Sequence, residues 1–239
     1  MRNIEDLVIS KIRDHAERST PHECCGVVVV RNGRQTYIPI DNVSSNPTNE
    51  FQLDPSQFAV AEDHGEVLAI VHSHVGIPST PSLMDRVECE RSGYPWIVVS
   101  TVDGSLSYLE PTGFRAPLIG REFIEGTLDC YALVRDYYKE VCRIDLPDFD
   151  RKFTWWQNGD DLISRNLESA GFYSIQSDEL RKNDGIIMQI GSRVPNHVGV
   201  YAGNNMFLHH LKDRLSSRDV YGGYWRHVTT SYVRHRDTP

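Results

Sequence analysis

Residues 67–85 read VLAIVHSHVGIPSTPSLMD. The stretch opens on five apolar residues, Val67 to Val71, which fit a buried strand. Two imidazoles follow one residue apart, His72 and His74, at the end of that strand or just past it. Side chains two apart on a strand share a face, so both rings can be presented to one point. A run of turn formers leads to Ser82, and the residues from Ser82 to Ser92 read as a helix stopped by Gly93. Asp85 therefore stands near the start of that helix and can bring an oxygen to the same place. Two imidazoles and one carboxylate suit Zn²⁺, with a fourth position left for water, and a further carboxylate must then move a proton. A plainer reading fits the same residues. Ser82-Leu83-Met84-Asp85 is also a capping box, and a His-x-His pair is common in solvated loops.

Outward from this stretch, Ile4, Leu7, Val8, Ile12 and Ala16 have helical spacing, so the sequence predicts a first helix over 3–18. Gly26–Val30 and Gln35–Ile40 form a hairpin across Asn32-Gly33. Asp54-Pro55-Ser56 opens a short helix, and Trp96–Thr101 pairs with Leu106–Glu110. Gly and Pro crowd residues 111–120, where the chain divides: 1–112 is one domain and 121–239 another. In the second, helices are expected over 130–141 and 160–170. Strands are expected over 185–189, 197–201, 206–210 and 228–233. Each half is α+β.

The 239 residues carry a net charge of −8, which disfavours nonspecific binding to nucleic acid or to an anionic membrane. Residues 1–120 hold 9 basic against 16 acidic side chains, and residues 121–239 hold 16 against 17, so the two halves present different surfaces. Five cysteines without paired spacings are no disulfide framework, and a reducing compartment fits them. The first residues lack the apolar core of a secretory signal, and no apolar run is long enough to span a bilayer. Synthesis and folding in the cytoplasm are expected.

The second half has its own chemistry. Cys130 follows Asp129 at a helix N-terminus, where the helix field is expected to lower a thiol pKa. His197 begins a strand, Gly203-Asn204-Asn205 turns the chain, and His209 returns opposite or nearly opposite His197. A cysteine on a helix, a histidine facing it and a third polar group holding that histidine form an activated nucleophile. The alternative is a structural cysteine, the commoner fate of Cys on an amphipathic helix. Cys142 reads as one. His209 and His210 are adjacent, so only one can face the site.

His72-Ser73-His74, seven residues, then Ser82-Leu83-Met84-Asp85 resembles the signature of JAMM (JAB/MPN) metalloproteases, and Glu23 in PHECCGVVVV matches that family's upstream glutamate. The resemblance covers about residues 1–110. It implies a sheet flanked by helices, with His72, His74 and Asp85 as zinc ligands, Glu23 as general base and Ser82 stabilising the oxyanion. Val75 stands where many members have proline. Asp129-Cys130, His197-Val198-Gly199-Val200-Tyr201 and His209 resemble the NlpC-type cysteine peptidases, a papain-like family, over about 121–225. That likeness implies Cys130 as nucleophile, His197 as base and His209 as its orienting partner. Tyr131-Ala132 replaces the Ser-Gly of many members, next to the nucleophile. The pair of domains resembles the tail tip proteins of lambda-like phages, the K type. This implies a virion protein whose partners are peptidoglycan peptides and other tail tip proteins, cutting stem peptides between D-glutamate and the diamino acid. A particle assembled in the cytoplasm and delivered from outside the next cell reconciles wall cleavage with the missing export signal. The rivals are a vestigial assembly scaffold, a cytoplasmic isopeptidase and an acyltransferase.

Overall fold

The structure is a computed structural model that describes residues 4–151 and 155–238; residue 3 of the expected first helix lies outside them. Its contacts divide into two units, Met1–Arg115 and Ala116–Pro239, each with its own sheet.

In unit 1, α1 (Asp6–Ser19) buries Val8, Ile12 and Ala16. β1 (Cys25–Arg31) and β2 (Arg34–Ile40) form the expected hairpin. Both of its turn residues, Asn32 and Gly33, have positive φ, 51° and 77°, as a two-residue turn between twisted strands requires. Then come α2 (Pro55–His64), β3 (Glu66–His74), α3 (Leu83–Ser92), β4 (Trp96–Ser100) and β5 (Leu106–Leu109). The sheet order is β2-β1-β3-β4-β5. One step is not a hairpin: β3 and β4 run parallel, joined through α3. That crossover places the start of α3 beside the C-terminal end of β3.

The core lies on both faces of this sheet. Val8 and Ile12 of α1 pack with Val28, Val71 and Ile97 on one face. Val27, Ile70 and Trp96 pack with Ala61 of α2 and Cys89 of α3 on the other. Ile12 and Ile97 are fully buried, and truncating either to alanine would cost about 2–5 kcal/mol. Alternation along β3 then carries His72 and His74 to the face that Ile70 occupies, the face of α3.

In unit 2, α4 (Cys130–Tyr137) continues as a π-helical segment, Tyr138–Cys142, rather than as α-helix to Val141. α5 (Leu162–Asn166) is shorter than the expected 160–170, because the residues before Gly171 form turns. The sheet contains β6 (Phe172–Ile175), β7 (Gly185–Met188), β8 (His197–Gly203), β9 (Met206–His209), β10 (Ser217–Val220) and, after α6 (Tyr224–Val228), β11 (Thr229–His235). Its order is β10-β9-β8-β7-β11-β6, with every pairing antiparallel. Leu133 and Tyr137 of α4 pack with Val198 and Val200 of β8 and Leu208 of β9. The first residue of α4 is thereby held over the strands that carry His197 and His209. Among the described residues no helix is long and apolar enough to cross a membrane.

Candidate functional site

The three expected ligands of unit 1 converge. One donor atom from each of His72, His74 and Asp85 lies within 4.8 Å of the other two. β3 runs through His74, so both histidines are strand residues on one buried face. His72 Nε2 is 3.1 Å from one Asp85 oxygen and His74 Nε2 is 3.2 Å from the other. The capping box is also real. Asp85 N–H donates to Ser82 Oγ at 3.1 Å, and Ser82 N–H donates to Asp85 Oδ2 at 2.6 Å. The helix cap therefore fixes the carboxylate at the point where the imidazoles arrive, and the two readings of Ser82–Asp85 describe one structure.

The residues fit a cation. The Nδ1–H of His74 can donate to the Pro78 carbonyl at 2.8 Å, which leaves the Nε2 lone pair facing Asp85. His72 is fully buried, and neither of its ring nitrogens has a hydrogen-bond partner among the described residues. Its approach to Asp85 is close but not aligned as a hydrogen bond. A buried imidazole without a partner is costly, and a cation among these donors would remove that cost. Burial alone would raise the Asp85 carboxyl, but His72, His74 and the Ser82 N–H outweigh it and hold it far below the usual carboxylate range. Burial lowers His72; it would lower His74 too, but Asp85 and the Pro78 carbonyl outweigh it there and the pKa is raised.

Glu23 reaches this place through strand register. Cys25 pairs with His72. Ser73 N–H then donates to Cys24 O at 3.1 Å, and Cys24 N–H to Ser73 Oγ at 2.8 Å. Continued by two residues, this register brings Glu23 level with His74. Glu23 is buried, and burial pushes its carboxyl up to about 7; His74 opposes the shift, while Asp85 and Glu50 add to it. Ser82 is exposed; its Oγ accepts from the helix, so its O–H remains a donor. Sequence reasoning missed Phe51, whose ring stacks on His72 at 4.5 Å and 14°, and Trp96, whose ring meets His72 edge-on at 5.4 Å. No periodicity marks Phe51, which lies in a loop.

In unit 2, Cys130 and His197 line the same cavity of about 310 Å³, whose wall is mainly apolar and includes Tyr131, Phe149, Trp155 and Ile187. The Tyr131 hydroxyl donates to the Pro147 carbonyl at 2.8 Å, so Tyr131 forms part of the cavity wall beside Cys130. His197 Nε2 is 3.1 Å from His209 Nδ1. His209 pairs with Gly199 rather than with His197, so the rings meet along a diagonal between neighbouring strands. His210 is fully buried against Phe123 with ring centroids 5.0 Å apart, and it also lines the cavity that Cys130 and His197 line. Asp219 of β10 was not foreseen; its Oδ2 is 3.2 Å from His209 Nε2. β10 is short and charged and carries no apolar alternation to mark it as a strand.

One expectation is reversed. The Cys130 thiol is pushed up to about 12, not lowered; burial is the main cause and the Asp129 charge the next. Asp129 caps α4, accepting the Ala132 N–H at 2.8 Å. The side chain that starts the helix thus sets a negative charge beside the sulfur and offsets the helix field. Burial, with His209 and His210 nearby, lowers His197 to about 3. At rest the pair is a thiol and a neutral imidazole.

Comparison with known proteins agrees with this division. The family of prokaryotic homologs of the JAB domain matches residues 6–113, and the NlpC/P60 family matches residues 119–234. Tail tip assembly protein K of Escherichia phage N15 is 38% identical over 231 residues, 96% of this chain and 94% of that protein. Its namesake in Escherichia phage lambda is 38% identical over 186 residues, 77% of this chain and 89% of that protein. A desampylase of Haloferax volcanii is 28% identical over 116 residues, 45% of this chain and 83% of that protein. With both domain families present in this order and such identity along nearly its whole length, the chain belongs to the tail tip assembly protein K family.

Proposed function

We propose that this protein is a tail tip peptidase with two catalytic centres, a metal-dependent one in residues 1–112 and a thiol-dependent one in residues 121–239. Both domains belong to peptidase families, which supports a hydrolase. The thiol centre would cut stem peptides of peptidoglycan during host entry. The metal centre would hydrolyse an amide or isopeptide bond, in a tail protein during assembly or in a wall crosslink. The relatives named as tail tip assembly proteins support a place in the virion tail.

The observation that carries the reading is the placement of Cys130 and His197 on one cavity wall, with His209 in contact with His197. With thiol and imidazole both neutral at rest, proton transfer accompanies the attack on substrate. His197 takes the Cys130 proton as sulfur attacks the peptide carbonyl, then returns it to the leaving amine. Backbone N–H groups at the start of α4 would hold the oxyanion of the attacked carbonyl. Water releases the acyl group from sulfur by the reverse sequence.

In unit 1, His72, His74 and Asp85 would hold a divalent cation, and the N,N,O donor set fits Zn²⁺. The ion would supply a Lewis acid for the scissile carbonyl and for water. Glu23, with its carboxyl near 7, takes a proton and gives it to the leaving amine at neutral pH. The free O–H of Ser82 donates to the developing oxyanion. The likeness of this half to a desampylase supports an isopeptide among its substrates.

A peptidoglycan zymogram tests the assignment. Lysis should disappear in Cys130→Ala and persist under chelation. Lysis that survives Cys130→Ala but is lost on chelation would assign wall cleavage to unit 1 instead.

A further inference from the structure

The catalytic reading above uses Cys130, His197 and His209 and gives no part to Asp219. We propose that Asp219 is a positioning residue that fixes the tautomers of His209 and His197, so that the free lone pair of His197 lies on Nδ1, away from His209. The inference rests on the reading of unit 2 as a thiol peptidase, and its test includes a readout that does not.

The geometry is a line across three neighbouring strands. β8, β9 and β10 are adjacent, with Gly199 paired to His209 and His209 paired to Ser217. His197, His209 and Asp219 are therefore each displaced by two residues from the next. Displacement by two keeps all three side chains on one face. Two contacts join them: His197 Nε2 to His209 Nδ1 at 3.1 Å, and His209 Nε2 to Asp219 Oδ2 at 3.2 Å.

The number of protons decides the rest. Two neutral imidazoles carry one N–H each, and a carboxylate carries none. Asp219 can only accept, so the proton of His209 sits on Nε2 and its Nδ1 is a lone pair. That lone pair accepts from His197, whose proton must then sit on Nε2. Nδ1 of His197 is left bare, and it is the only ring nitrogen in the line able to take the thiol proton. When it does, Nε2–H stays in place, and the new positive charge faces a chain ending in a carboxylate. Without Asp219 the order can reverse: His209 keeps its proton on Nδ1 and donates it to His197 Nε2. The proton of His197 then moves to Nδ1, and the base is blocked.

The surroundings leave this choice to Asp219. The His209 ring stacks on Phe207 at 4.2 Å and meets Trp225 edge-on at 4.6 Å, so its plane is clamped. Arg214 and Ser217 favour the ionised Asp219, as His209 does, and hold it below its ordinary pKa against the effect of burial. Among the described residues His210 also acts on His197, which shares its cavity with the Cys130 thiol, and Arg214 also acts on His209.

The test uses full-length protein labelled with ¹⁵N-histidine, at pH 7.5. Nitrogen shifts should show His197 protonated on Nε2 in the natural protein and shifted toward Nδ1–H in Asp219→Ala. In stem-peptide cleavage, Asp219→Ala should lower kcat by about 10²-fold, less than the loss expected for a fully enforced wrong tautomer because water can reach the site, and leave KM within twofold. Asp219→Glu should restore much of both readouts. A natural protein with His197 protonated on Nδ1, or an Asp219→Ala variant with unchanged tautomer and kcat, overturns the proposal. If Cys130→Ala cleaves as well as the natural protein, the peptidase reading fails, and the nitrogen shifts still decide the role of Asp219.

Discussion

The two sites use the same side chains, two imidazoles and a carboxylate, and connect them differently. In unit 1 both rings reach one carboxylate, each touching a different oxygen of Asp85. In unit 2 the rings touch each other, and only the second touches Asp219. The cause is sequence spacing. His72 and His74 are two apart on one strand, so their nitrogens converge on a third group. His197 and His209 are on neighbouring strands, so they meet in series. Convergence gathers lone pairs at a point and suits a cation. A series has one proton per link and suits a base whose tautomer must be fixed. Charge divides the rings by burial instead. His74 is raised by Asp85 and the Pro78 carbonyl, whereas burial lowers His72 in the same site and lowers His197 in unit 2 to about 3.

The sharpest way to break this comparison is to exchange the treatments. Cys130→Ala should lower stem-peptide cleavage by about 10⁴-fold or more, as loss of a nucleophile does, and leave zinc binding unchanged. Chelation should do the opposite. A single treatment that abolishes both would show that the sites are one functional unit. His72→Ala comes next. Losing a ligand should weaken zinc binding by more than about 10²-fold, beyond the usual effect of outer partners. Calorimetry on chelated and reloaded protein measures this, and undiminished affinity would remove His72 from the site.

The linear site should also make unit 2 sensitive to acid. His197, His209 and His210 are buried, and burial lowers all three, to about 3 for His197 and about 4 for His210. In the unfolded chain they titrate near 6.5. Lowered folded values mean that their stabilising contribution is present above about 6.5 and is lost as pH falls toward 4 and then 3. His197 and His210 each contribute a slope of about 1.4 kcal/mol per pH unit between about 6.5 and their folded values. Hydrogen exchange in β8 and β9, corrected for intrinsic rate, should report it. His210→Phe should reduce the slope by one proton, and equal slopes with and without His210 would mean that it is not held neutral.

The fold was legible where one face of an element is apolar. The β1–β2 hairpin, the helix at α3 and the strand leading to His72 all follow from turn residues, caps and runs of Val and Ile. The parallel β3–β4 step was less visible, because a crossover and a hairpin leave similar apolar runs. In unit 2, β6, β10 and α6 escaped notice, since strands of four residues with mixed polarity give no period. The His-x-His and Ser-x-x-Asp spacings left a metal site and a plain helix cap both open, and it was their resemblance to the JAMM signature that favoured the metal. Asp219 could not be announced: its place depends on a register across three strands. The pKa of Cys130 was misjudged for a related reason. A helix N-terminus is visible in sequence, but the burial around it and the second role of Asp129 as its cap are not.

Phe51 offers the finest test of the convergent site. It carries no donor atom for a cation, and its ring stacks on His72, which Trp96 meets from another side. Besides the 3.1 Å approach to Asp85, these ring contacts hold His72, because neither of its nitrogens has a hydrogen-bond partner among the described residues. His74 differs, being held by the Pro78 carbonyl. Phe51→Ala should therefore free the His72 ring and weaken zinc binding by about tenfold, the lower end of what outer partners contribute. Phe51→Leu keeps apolar bulk but not the flat face, and should fall between. Zinc affinity equal to that of the natural protein in both variants would mean that strand geometry alone orients His72. The contrast with unit 2 would then narrow, since the His209 ring lies on Phe207 in the same way.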